Sequence, residues 1–192
     1  MKVELINSTP DIEYIIAKSA GVCYDNDTTD PQKLVRRLKL NKHLATFRFA
    51  HVTFQVSEFS RSCSMQMLRH AFLDYLQRSQ RYVKEFQFEY VTPKTIENNQ
   101  EAENLYDHLM LNIQDSYDEL ISLGIPKEDA RYVLPNACHT KMNVVGNVQA
   151  WYDFLYGDAG RLQKAAQWEI REIAVEIERQ LTILAPNIFG DN

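Results

Sequence analysis

The strongest constraint on the fold is the apolar spacing in residues 98–122, where Leu105, Leu109, Ile113, Tyr117 and Leu120 recur every three or four residues. That spacing lines one face of an α-helix. Gly124 and Pro126 follow directly, and together they stop a helix. A helix with one apolar face needs a second layer to cover it, so the rest of the chain must supply that layer.

Elsewhere the period shifts between two and 3.6. Residues 2–6 alternate like a short strand that Pro10 ends, and residues 12–20 have helical spacing up to Gly21. In residues 46–56, Phe47, Phe49, Val52, Phe54 and Val56 sit mostly on alternate positions, which predicts a half-buried strand. Ser57 is then the expected cap of an amphipathic helix over residues 58–72, carrying Phe59, Cys63, Met67, Leu68 and Phe72 inward. Alternation returns after Arg81 at Phe86, Phe88 and Tyr90 until Pro93. A short helix closes at Pro135, a strand covers residues 140–145, and Asn147 opens a short helix containing Asp153. Residues 162–184 read as a last long helix with Trp168, Ile173, Ile177 and Leu181 inward, placing Arg161 just before its N-terminus. Helices and strands mix without regular alternation, so the expected class is α+β, in one domain spanning residues 1–192.

Composition removes several functions. Of 192 residues, 45% are hydrophobic, enough for one sizeable core. Twenty-six acidic against 21 basic residues give a net charge of −5, which argues against a general nucleic-acid binder. Cys23, Cys63 and Cys138 never form a CxxC pair, so free thiols in a reducing cytoplasm are expected. No export signal and no membrane-spanning apolar run is expected. His43, His51, His70, His108 and His139 lack metal-ligand spacing, so no metal site is expected. Cys138 and His139, adjacent on a predicted strand, would face opposite sides, which argues against a cysteine nucleophile.

The chemistry gathers in residues 66–82, which hold Arg69, His70, Arg78, Ser79 and Arg81. Guanidinium groups and a hydroxyl are the donors a phosphate monoester takes, and Ser79 and Arg81, two apart in an extended backbone, would point the same way. On spacing alone the same residues read equally well as a solvated basic turn.

Three further segments decide between these readings: Ala130-Arg-Tyr-Val-Leu-Pro135, a His51-Val-Thr-Phe strand, and Ala166-Gln-Trp-Glu-Ile-Arg171. With the first stretch they resemble the flavin-dependent thymidylate synthase family, in the same order and over residues 46–174. The family signature, Arg-His-Arg-x-x-Ser-x-Asn/Ser-Glu/Gln-x-Ser-x-Arg-Tyr, is matched at Arg69, His70, Gln77, Ser79, Arg81 and Tyr82.

The resemblance implies helices packed on antiparallel sheets in a homotetramer, with FAD where subunits meet and dUMP stacked on its ring. It implies an enzyme, a methyltransferase, converting dUMP to dTMP with methylenetetrahydrofolate as carbon donor and NADPH as reductant. By the same resemblance Gln66, Arg69, Gln77, Ser79, Arg81 and Lys141 would line the dUMP site, Lys141 standing where the family usually has arginine. Arg161 would be the catalytic residue, facing the uracil edge and favouring ionisation at N3. FAD would be held by Thr46, Arg69, His70, Gln77, Asn147, Gln149 and Asp153. Tyr75 and Phe72 are expected in the core rather than as a flavin platform.

The chain departs from the signature at Ala71, Asp74 and Leu76, where the family has arginine, serine and a polar residue. Losing a charged hydrogen bond at Ala71 is worth roughly 1.5–3 kcal/mol, or about ten- to a hundredfold in affinity, unless Arg48 or Arg78 substitutes. A divergent relative that hydroxymethylates a pyrimidine nucleotide, or a silent nucleotide-binding homologue, would carry the same residues.

Overall fold

The computed structural model describes residues 1–25 and 29–190. In chain order its elements are β1 (Lys2–Ser8), α1 (Ile12–Gly21), α2 (Pro31–Leu40), β2 (His51–Ser60), α3 (Arg61–Met67), β3 (Leu73–Gln77), α4 (Lys94–Glu97) and α5 (Gln100–Ser122). They continue with α6 (Lys127–Ala130), β4 (His139–Asn147), α7 (Val148–Tyr156), α8 (Trp168–Leu184) and α9 (Pro186–Phe189). The strands form an antiparallel sheet in the order β1-β2-β4-β3, so the α+β class is observed. No helix among the described residues is long and apolar enough to cross a membrane.

The chain divides into two compact units, one of Met1–Val56, Gln66–Leu76 and Asn143–Asn192, the other of Ser57–Met65 and Gln77–Met142. In the first, Trp151 is fully buried and its indole N–H donates to the Val52 carbonyl at 3.0 Å. The Trp151 ring meets Phe54 edge-on at 5.2 Å and Phe154 at 5.8 Å. Helix α8 buries Ile170, Ile173, Ile177 and Leu181, as its 3.6-residue spacing requires. Trp168, expected inward, opens the helix half-buried, and Gln167 caps it by accepting from the Glu169 and Ile170 N–H groups.

In the second unit the core is Phe88, Met110 and Cys138, with Tyr90, Tyr106, Ile113 and Leu134 against it. Asn99 caps α5, and Gly124, at φ +85°, ends it. The Gly124 and Ile125 N–H groups donate back to the Ile121 and Leu120 carbonyls, the double closure only a left-handed residue permits easily.

Several sequence expectations are corrected. Residues 44–49 form a 3-10 turn, not a strand start: Phe47 is buried while Phe49 is 62% exposed, whereas a strand would have put both on one face. Strand β2 runs on through Ser57, and the cap is Ser60, whose hydroxyl accepts from the Cys63 N–H at 3.0 Å. Glu58, at φ +58°, resets the in-out alternation just before that cap. Helix α3 covers Arg61–Met67 rather than residues 58–72, and the strand that follows it is Leu73–Gln77. Residues 86–90 form no strand beyond one antiparallel bridge, Tyr90 to Cys138. Phe88 and Tyr90 instead pack on α5, where Gln114 donates to the Phe88 carbonyl and Tyr106 to that of Val91, while Phe86 is 56% exposed. On α5 itself, Met110 and Tyr117 are buried, whereas Leu105 and Leu109, expected inward, are 71% and 49% exposed.

Replacing Trp151 by Phe removes the donor to the buried Val52 carbonyl and leaves a void beside Phe54 and Phe154, at an expected cost of at least about 1–3 kcal/mol. The urea midpoint of the variant measures it.

Candidate active site

The signature segment is held in place by its backbone first. After α3, the Arg69 and His70 N–H groups donate to the Gln66 and Met67 carbonyls. Phe72 takes the left-handed conformation, φ +66°, and turns the chain into β3. The Tyr75 hydroxyl donates to the Met67 carbonyl at 2.6 Å, with His70's carbonyl 3.3 Å away, so it braces the loop it follows. Gly146 on β4 makes the close approach possible: a Cβ there would lie 2.3 Å from Leu73 Cδ2 and 3.4 Å from the Phe72 carbonyl oxygen. Phe72, expected in the core, is 80% exposed because the turn points it outward.

Within the first unit this loop meets Arg161. The His70 ring packs edge-on against Phe154 at 4.8 Å, and its Nε2 accepts from Arg161 Nε at 2.6 Å. Arg161 Nη2 donates to the Gln66 carbonyl at 3.3 Å. Burial, and then the adjacent Arg161 charge, push the His70 pKa down to about 4. The imidazole is therefore neutral at pH 7, with its proton assigned to Nδ1 by the bond that Nε2 accepts. Arg161 is not next to a helix N-terminus as the sequence suggested, since α8 begins only at Trp168. Its own N–H donates to the Phe154 carbonyl at 2.8 Å, and so it is anchored to the C-terminal turn of α7. Gly160 allows the turn, because a Cβ there would lie 2.5 Å from the Leu155 carbonyl oxygen.

The remaining candidates of this unit lie on α7 and the 3-10 turn. The Asn147 side chain caps α7 by accepting from the Ala150 N–H at 2.9 Å. Gln149 accepts from Arg48 Nε at 2.6 Å, and Asp153 interacts with both. The Thr46 hydroxyl donates to the His43 carbonyl at 2.9 Å, and Arg69 is exposed.

Gln77, Ser79, Arg81 and Lys141 belong to the second unit. The Gln77 amide donates to the Ser64 and Thr140 hydroxyls at 2.9 and 3.0 Å, which fixes its orientation. Residues 79–83 form a turn and not the extended backbone expected: the Tyr82 and Val83 N–H groups both donate to the Ser79 carbonyl. The Ser79 hydroxyl accepts from the Arg81 N–H at 3.2 Å. The two side chains are thus related by a turn rather than by strand alternation. Arg81 reaches Glu128, Arg78 bonds both oxygens of Glu85 at 2.9 and 2.7 Å, and Lys141 is exposed. Glu85 is only 4% exposed and its N–H donates to the Tyr117 hydroxyl. Sequence reasoning missed Glu85 and Glu128, because a lone glutamate in a charged stretch carries no spacing signal.

Among the described residues no cluster of His, Cys, Asp or Glu could hold a metal ion. Cys23, Cys63 and Cys138 form no disulfide, and burial pushes the Cys138 thiol up to about 12, so it is not a nucleophile at neutral pH. A surface depression of about 660 Å³ in the first unit, between β1 and α8, contains none of the candidate residues.

The sequence profile of the family described as thymidylate synthase complementing protein matches residues 4–187. A protein of Geobacter sulfurreducens named flavin-dependent thymidylate synthase is 34% identical over 203 residues, covering 100% of this chain and 86% of that protein. One of the same name from Clostridium tetani is 33% identical, covering 98% and 85%. Another, from Mycolicibacterium gilvum, is 31% identical, covering 100% and 89%.

The lowered His70 pKa has a stability consequence. Between about pH 6.5, the ordinary histidine value, and about pH 4 the unfolded chain binds a proton at this site that the folded chain refuses. Stability therefore rises with pH through that window and is lost as pH falls through it. Urea midpoints across the window should show this slope, and His70→Gln should flatten it; an unchanged slope in the variant refutes the assignment.

Proposed function

The chain belongs to the thymidylate synthase complementing protein family, and from that premise we propose that it is a flavin-dependent thymidylate synthase. It methylates dUMP at C5 to give dTMP, taking the carbon from methylenetetrahydrofolate and electrons from NADPH, with FAD as its flavin. The observation that carries the reading is the environment of Arg161, whose guanidinium is oriented by two uncharged acceptors, His70 Nε2 and the Gln66 carbonyl.

Neutral acceptors aim a guanidinium without cancelling its charge. A protonated histidine could not accept the bond, so the low His70 pKa keeps the arrangement intact at neutral pH. Set against the uracil edge, Arg161 would stabilise the negative charge that develops at N3 and its neighbouring carbonyl as the ring is activated. Ring activation then needs no thiol, in keeping with the buried, protonated Cys138. Gln66 and Arg69 would line the same nucleotide site. Arg81, Ser79 and Lys141 would take its phosphate, and Gln77, held by two hydroxyls, would offer the rest of its amide.

The donor set of the first unit suits FAD. Arg48, Arg69, Gln149 and Thr46 are hydrogen-bond donors for diphosphate and ring carbonyls, and His70, Asn147 and Asp153 complete the proposed cofactor residues. Bound flavin supplies the redox chemistry, which no side chain here provides. Ala71 leaves one family cation missing, and Arg48 is its best substitute: it lies in the same unit beside Gln149, whereas Arg78 is committed to buried Glu85. We take the chain to act as one domain in a homotetramer, in which the exposed Leu105 and Leu109 of α5 would meet another copy.

Incubation with dUMP, FAD, methylenetetrahydrofolate and NADPH should yield dTMP and release tritium from C5-labelled dUMP. A hydroxymethylated product, or no release from folded protein, refutes the reading. Arg161→Ala should lower kcat by about a hundredfold or more while the oligomer persists. Arg48→Ala should weaken FAD binding about tenfold or more. Arg78→Ala should instead destabilise the fold by about 3–5 kcal/mol, because it strands a buried carboxylate; flavin absorbance titration and urea unfolding separate the two.

A further inference from the structure

Helix α6 lies on the turn 79–83 through two neighbouring side chains. Lys127 Nζ donates to the Tyr82 carbonyl at 2.8 Å, and Glu128 Oε2 accepts from Arg81 Nε at 3.1 Å, with Arg81 Nη2 at 3.1 Å from the same oxygen. The helix is itself anchored, with Ala130 buried and Arg131 Nε donating to the Glu128 carbonyl at 3.1 Å. The Arg81 and Glu128 side chains are 53% and 51% exposed. An ion pair that open to water is weak and easily exchanged.

Two donors of one guanidinium on one oxyanion oxygen is also how Arg81 would grip a phosphate oxygen. The same fork cannot serve both anions fully, and a carboxylate left beside a bound phosphate repels it. We propose that Glu128 is a built-in competitor for the substrate phosphate, holding Arg81 until a phosphate monoester displaces it. The inference rests on the dUMP reading above. A phosphate monoester carries about −1.5 to −2 charges at pH 7 against one on the carboxylate, so it displaces Glu128, whereas a nucleoside without phosphate has nothing to offer Arg81. Glu128 thereby sets a threshold that favours the phosphorylated nucleotide over singly charged anions.

The test is calorimetric titration of the full-length, flavin-loaded protein with dUMP and, separately, with deoxyuridine. Glu128→Gln and Glu128→Ala should each tighten dUMP about two- to fivefold, the scale of an exposed ion pair, and lower its KM in parallel. Deoxyuridine affinity should stay unchanged. Adding Arg81→Ala to Glu128→Gln should abolish the gain, since the competition runs through that guanidinium. Unchanged or weaker dUMP binding in both Glu128 variants overturns the proposal and makes Glu128 a residue that positions Arg81. Equal tightening of deoxyuridine overturns it too. If wild-type protein does not bind dUMP, or Arg81→Ala leaves that binding intact, the functional reading fails and takes this inference with it.

Discussion

The hydrogen bond from Arg161 to a neutral His70 is the contact on which the chemistry proposed for the first unit depends. It exists because each partner is immobilised independently. His70 is pinned by the edge of Phe154, which belongs to the same aromatic run as Trp151 and Phe54. Arg161 is pinned by its own N–H on the Phe154 carbonyl. One residue of α7 thus fixes both members of the pair, through its ring on one side and its backbone on the other. Burial holds the imidazole uncharged, which leaves its Nε2 lone pair free to accept from the guanidinium.

The second unit manages charge differently. Arg78 is neutralised by buried Glu85, and that pair is structural, because a buried carboxylate without its partner is costly. Arg81 is paired at the surface with Glu128, where the bond is cheap to break. Two arginines three positions apart therefore have separate roles, decided by exposure and not by residue type. The turn between them, closed on the Ser79 carbonyl, is what points them apart.

Much of the fold was legible in the amino-acid order. The 3.6-residue period with its glycine stop specified α5, the Asn147 cap specified α7, and the alternation after Pro135 specified β4. These elements are encoded by neighbours within one or two turns. The failures have a common origin in contacts made far along the chain. Phe47 and Phe49, which a strand would place on one face, are separated by a 3-10 turn into one buried and one exposed ring, and Phe88 and Tyr90 face α5 rather than a neighbouring strand. Leu105 and Leu109 have core spacing on a helix whose inner face runs through Tyr117, as expected, but through Met110 in their place.

The same division holds for the candidate site. Residue types and order determined, by themselves, which side chains are candidates and what chemistry they suit, because guanidinium, hydroxyl and amide groups carry their donor geometry wherever they stand. Only the tertiary structure decided which charges remain available. The neutrality of His70 and the hold of Glu128 on Arg81 arise from partners distant in sequence, the commitment of Arg78 to Glu85 arises from the burial of a carboxylate seven residues away, and the exposure of each pair sets its strength.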